Sequence, residues 1–92
     1  MANRLVLNAK LDTSNAVPLR DELVAAHGQD LVLDASAVEH IGGLCAEVLM
    51  SVRHLWRQND TSITIENASS QLIDNLARMG LSLDDIATGD VA

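Results

Sequence analysis

Two rhythms of apolar residues alternate along the chain. Arg4-Leu5-Val6-Leu7-Asn8-Ala9-Lys10-Leu11 has a short apolar centre flanked by polar residues and predicts a first strand. Asp12-Thr13-Ser14-Asn15 follows, four residues whose side chains favour turns and helix N-caps. Ala16, Leu19, Leu23 and Ala26 then recur at spacings of three and four, one face of a helix. Pro18 fits only in its first turn, where no backbone N–H is needed, so the helix begins near Ala16 or Val17. Gly28 is a natural C-terminal stop.

Asp30-Leu31-Val32-Leu33-Asp34 is an apolar run bounded by acids, the pattern of a strand covered on both faces. A connection from Ala35 to Ile41 leads into the longest helical pattern. In it Cys45, Val48, Leu49, Val52, Leu55 and Trp56 form a continuous stripe, and Asn59-Asp60 ends it. Ser62 to Glu66 alternates at period two, a third strand. Ser69 or Ser70 can cap a third helix with Leu72, Ile73, Leu76 and Met79 on its apolar face and Gly80 as its stop. Leu81 to Ala92, with Leu83 and Ile86 among acids and small residues, reads as a short helix and an end that frays from about Thr88. The order β-α-β-α-β-α with short loops predicts a single α/β domain over residues 1–92. Right-handed crossovers would build a small, mainly parallel sheet packed with about three to four helices.

Charge narrows the partners. Six basic against thirteen acidic residues leave a net charge of -7, and there is no Phe or Tyr to stack on bases. Nucleic acid and anionic membrane surfaces are therefore excluded as direct partners. A protein with a basic patch suits the charge. The one cysteine, Cys45, forms no internal disulfide, and no apolar run approaches the length of a membrane span, so the expected location is the cytoplasm.

Leu33-Asp34-Ala35-Ser36-Ala37-Val38, followed by Ile41, a glycine-containing turn and an apolar helix, resembles the STAS domains of bacterial anti-sigma-factor antagonists. In that family the strand ends in Asp-Leu-Ser-Gly-Val and continues to Asp-Ser-Ser-Gly-Leu-Gly at the second helix. Leu5-Val6-Leu7 leading through Lys10-Leu11-Asp12 into a helix fits the same pattern, and the resemblance runs from Leu5 to about Leu83. Aligned from Asp34, the phosphorylated serine falls on Leu44, and no Ser or Thr occurs between Val38 and Met50. The usual phosphoserine switch is thus missing, with Ser36 and Ser51 the neighbouring hydroxyls. The first strand of the usual amino-terminal hairpin is missing too, which implies a smaller sheet. Single-domain STAS proteins of bacterial chemotaxis operons look similar at this turn.

The resemblance places the partner surface at the start of the second helix: Glu39, His40, Gly42 and Gly43, with Glu47 one turn on. Two successive glycines either let a partner's backbone approach closely, leave free N–H groups for an anion, or simply give a sharp strand-to-helix turn its freedom; the missing P-loop lysine and the nearby Glu39 and Glu47 disfavour phosphate. The implied role is a non-catalytic adaptor for a signalling kinase or anti-sigma-type regulator. The alternative is a STAS subunit seated on the cytoplasmic ATPase of a lipid-transporting ATP-binding cassette complex. Asp34 and Ser36 read as turn residues, and Cys45 as a small core residue because it shares the stripe of Leu49 and Trp56. His27, His40 and His54 show no metal-ligand spacing. With no carboxylate pair, nucleophile elbow or glycine fingerprint, the reading assigns no catalytic residue, metal, cofactor or small-molecule substrate.

Overall fold

The computed structural model describes residues 3–26 and 28–88. In chain order the elements are β1 (Asn3–Val6), β2 (Lys10–Leu11), α1 (Ala16–Ala25), β3 (Leu31–Asp34), β4 (His40–Ile41), α2 (Gly43–Gln58), β5 (Ile63–Glu66) and α3 (Ser70–Arg78). Short 3-10 turns, Thr13–Asn15 and Leu83–Asp85, precede α1 and follow α3. The three helices sit where the apolar spacing puts them. Asp12 caps the first 3-10 turn by accepting from the Ser14 N–H, and Ser69 caps α3 by accepting from the Leu72 N–H. Gly28 and Gly80, just past α1 and α3, have φ of 93° and 75°, the left-handed conformation that glycine adopts without a steric cost.

The main sheet is three-stranded, in the order β1-β3-β5, with both pairings parallel. Each crossover steps the same way across the sheet, and right-handedness then puts α1 and α2 on the same face. The burial agrees: Leu31, Leu33, Ile63 and Ile65 are buried against the helices. On the opposite face lie Arg4, Val6, Val32, Asp34, Thr64 and Glu66, partly or fully open to solvent. The expectation that β3 is covered on both faces is corrected: one face is covered. Arg4 ties the open face together, its guanidinium 3.0 Å from Asp34 and 2.6 Å from Glu66.

The first apolar segment is two strands, not one. β1 stays with β3 as far as Leu7, whose N–H donates to the Asp34 carbonyl at 2.9 Å. There β3 turns away, because the Asp34 side chain accepts from the Ser36 N–H at 3.0 Å. With no neighbour left, the chain finds a new one: β2 pairs in parallel with β4, Lys10 beside His40 and Leu11 beside Ile41. The connection expected from Ala35 to Ile41 therefore contains a strand.

One core unites the layers. Trp56, Leu49, Cys45 and Val52 of α2, Leu19 and Leu23 of α1, and Leu72 and Leu76 of α3 are buried with the inner sheet face, Leu7, Leu11 and Ile41. Trp56 also satisfies its indole N–H by donating to the Gln29 carbonyl at 2.8 Å. Two residues assigned to the apolar face of α3 are instead exposed: Ile73 is 46% and Met79 36% accessible. Only a narrow stripe of α3, Leu72 and Leu76, reaches the core. The expected C-terminal helix is a single 3-10 turn, after which Ile86 and Ala87 are buried and Thr88 bonds Ile63 of β5. His27 and the end of the tail, including Asp90, lie outside the described residues.

Candidate partner-binding site at the start of helix α2

The segment from Asp34 to Gly43 is held from both sides. On one side the Ala9 carbonyl accepts from the Glu39 and His40 N–H groups at 2.7 and 3.1 Å, and the Leu11 carbonyl accepts from the Gly42 N–H at 2.9 Å. On the other, the Ser69 hydroxyl donates to the Val38 carbonyl at 2.6 Å, and the Ser69 N–H donates to the Ala35 carbonyl at 3.3 Å. Val38 and Ile41 anchor it in the core. With its backbone bonded and its apolar side chains buried, this segment presents Glu39 and His40 on a rigid support.

Glu39, His40, Gly43 and Glu47 are exposed and Gly42 is half-buried. They come from the continuous run through β4 into the first turns of α2, with Glu39 just before β4 and Gly42 between the two elements, so the fold brings together the residues that the sequence nominates. Gly42 is the N-cap of α2, with φ of -91° and ψ of 169°, a conformation open to any residue. Gly43 is the first helical residue and has no positive φ. A Cβ built on Gly43 meets nothing within 4 Å, whereas one on Gly42 meets the Leu11 carbonyl oxygen at 3.7 Å, an ordinary contact. Neither glycine is demanded by a positive φ, nor by close packing within the chain. The space above Gly43 is open, and α2 has no side-chain cap over its first N–H groups.

Lys10 is the addition that sequence reasoning missed. It stands directly beside His40 through the β2–β4 pairing and is exposed. Period-two patterning alone gave no sign of which strand would be its neighbour. Asp12 lies close by, since the Cys45 thiol of α2 donates to its carbonyl oxygen at 3.2 Å. The Asp12 carboxyl titrates below the usual range, held ionised mainly by the Ser14 hydroxyl and also by the N–H of Ser14 and the amide of Asn15.

Cys45 is fully buried, and burial, aided by the charge of Asp12, pushes its thiol pKa up. It is a core residue, as the stripe implies, and its burial disfavours the thiolate. Leu44, at the position of the family's serine, is 46% exposed on the first turn of α2. That position is accessible and has no hydroxyl. Ser36 lies exposed in the turn after β3, and Ser51 is exposed on α2, about two helical turns beyond Leu44. Asp34 and Ser36 form the expected turn. The N–H and hydroxyl of Ser36, more than the Arg4 charge, hold the Asp34 carboxyl below its ordinary pKa.

Among the described residues, no group of three or more His, Cys, Asp or Glu is placed to hold a metal ion, and no helix is long and apolar enough to cross a membrane. A comparison with curated protein sequences found no match. The family model described as Mlab, STAS domain, matches residues 2–86, which covers every strand and helix of the fold from β1 to α3. With the one-sided parallel sheet and an α2 that starts at a double glycine, this match makes the chain a member of the STAS domain family.

Proposed function

We propose that the whole chain is a single non-catalytic adaptor domain that acts in the bacterial cytoplasm. It binds a signalling kinase of the chemotaxis type, or an anti-sigma-type regulator, through Glu39, His40, Gly42, Gly43 and Glu47. The observation that carries this reading is the uncovered backbone at Gly43. The glycine answers no conformational need of the chain, and the space beside it is empty, so its conformity to a partner surface is the remaining use. Family membership supports a protein-binding role in general. The charge around the site, Asp12, Glu39 and Glu47 against Lys10, favours a partner with a basic patch. Because Leu44 replaces the serine and Cys45 is buried in the core, neither phosphorylation there nor thiol chemistry switches the site.

The test is binding of the purified kinase to single-site variants. Gly43→Lys blocks close approach while adding a side chain where there is room. Glu39→Lys and Glu47→Lys slow association, with an effect that fades as salt rises. Asp74→Lys on α3 changes net charge equally from an exposed position elsewhere and leaves binding nearly unchanged. Equal loss in Glu39→Lys, Glu47→Lys and Asp74→Lys would reduce the effect to net charge and refute the site. Binding to the ATPase of a lipid-transporting cassette complex in place of the kinase, with the same variant pattern, would keep the site and transfer the role to the alternative.

A further inference from the structure

An open groove of about 340 Å³ runs between α1 and α2 on the side away from the sheet. Val24 of α1 and Leu44, Val48 and Leu55 of α2 give it an apolar lining, with Arg20 on the α1 wall and Glu47 on the α2 wall. Leu44 and Val24 keep 46% and 42% of their surface accessible. The ion pairs among the described residues all belong to Arg4, so Arg20 and Glu47 stand on opposite walls without being bridged.

We propose that this groove seats an amphipathic α-helix of the partner protein, with its acids toward Arg20 and its bases toward Glu47. The inference rests on the adaptor reading above and extends it, since Glu47 belongs to both surfaces. Past the first turn of α2, both walls are helix interior whose backbone groups are bonded within α1 and α2. A segment lying along them finds no backbone partner beyond the open N–H groups at Leu44 and must satisfy its own, which a helix does and an extended strand does not. The α2 wall from Leu44 to Leu55 is about 16 Å long, the length of about three helical turns. An apolar stripe at i, i+4 and i+7 fits along it. Opposite charges on the two walls select a helix whose flanks are also of opposite sign. A second copy of this chain suits the groove less well: it would bring a concave face against a concave face, and another charge of -7.

The probe is a set of synthetic helical peptides of about four turns with one leucine stripe, titrated into the isotope-labelled protein and followed by backbone amide shifts. One peptide has Glu on one flank of the stripe and Lys on the other; a second has Glu on both flanks. Expected are shifts clustered at Arg20, Leu44, Ser51 and Leu55, and tighter binding of the mixed peptide. Ser51 is exposed and lines the groove, so Ser51→Trp fills it without touching the core and weakens the mixed peptide by roughly tenfold or more. Leu44→Ser, also at an exposed position, is the second variant and acts in the same direction.

No shifts at millimolar mixed peptide, or equal binding by Ser51→Trp with its thermal melt unchanged, overturns the proposal. So does a concentration-dependent dimer in sedimentation that Ser51→Trp abolishes, which would assign the groove to a second copy. The two readings fail separately. If Glu39→Lys and Gly43→Lys weaken the kinase while no peptide binds, the groove is wrong and the adaptor surface stands. If the peptides bind and those variants leave the kinase unaffected, the groove stands and the glycine surface is wrong.

Discussion

Leu49→Ala tests the packing on which the site depends. Leu49 is 1% exposed, at the middle of the buried face of α2, with Cys45 and Val52 about one turn before and after it. Removing three carbons forfeits about 0.8 kcal/mol each in transfer free energy, or ~2.4 kcal/mol. If the helices do not collapse, a residual cavity of roughly 50 Å³ adds about 1.2 kcal/mol at ~24 cal/mol per Å³. The expected loss is therefore about 3 to 4 kcal/mol, a large share of the ~5 to 14 kcal/mol that a chain of this length commands. Urea unfolding followed by Trp56 fluorescence reads it directly, since the single tryptophan is fully buried in the same core. With an m-value of about 1 kcal/mol/M the midpoint falls by about 3 M urea. Leu44→Ala, on the same helix at an exposed position, should lose under ~1 kcal/mol. A midpoint shift below ~1 M for Leu49→Ala, or equal shifts for the two variants, would refute the assigned helix face.

Other measurements probe the chemistry. Asp12 and Asp34 titrate below their ordinary range in the fold, so the unfolded chain takes up protons first as pH falls. Their contribution to stability is complete above about pH 4 and is lost as pH drops through the lower folded values; Asp12→Asn with Asp34→Asn should flatten that acid limb in melts taken across pH. Cys45 should react with an alkylating reagent far more slowly in the folded protein than in denaturant, and fast labelling of the native state would contradict its burial. Incubation with a cognate kinase and mapping by mass spectrometry should find no phosphate between Val38 and Met50; phosphate on Ser36 or Ser51 would instead show a displaced switch.

Much of this was legible in the order of residues. The three helices, the two glycine stops, the Ser69 cap, the centre of the buried face of α2 (Cys45, Leu49, Val52 and Trp56) and the missing serine at Leu44 all follow from local spacing and identity, whereas Val48 and Leu55 of the same stripe are only half-buried. A helix brings its own residues into register, so period and caps are enough to place it. The candidate surface was legible in part: Glu39, His40, Gly42, Gly43 and Glu47 could be named from the resemblance, and the polar Glu39, His40 and Glu47 expected at the surface, but the rigid support beneath them could not be read. Tertiary structure decided everything that needs a neighbour. Whether the segment from Arg4 to Leu11 is one strand or two depends on where β3 turns away and on the return of His40 and Ile41, residues some thirty positions later in the chain. Whether β3 is covered on one face or two depends on the direction in which both crossovers step, which its own apolar run does not record. Ile73 and Met79 look like core on a helical wheel, yet α3 meets the core along a stripe only wide enough for Leu72 and Leu76. The pairing of Lys10 with His40 and the groove between α1 and α2 have the same origin. Each is a relation between elements far apart in the chain, created by strand pairing and helix packing, and no periodicity within one segment contains it.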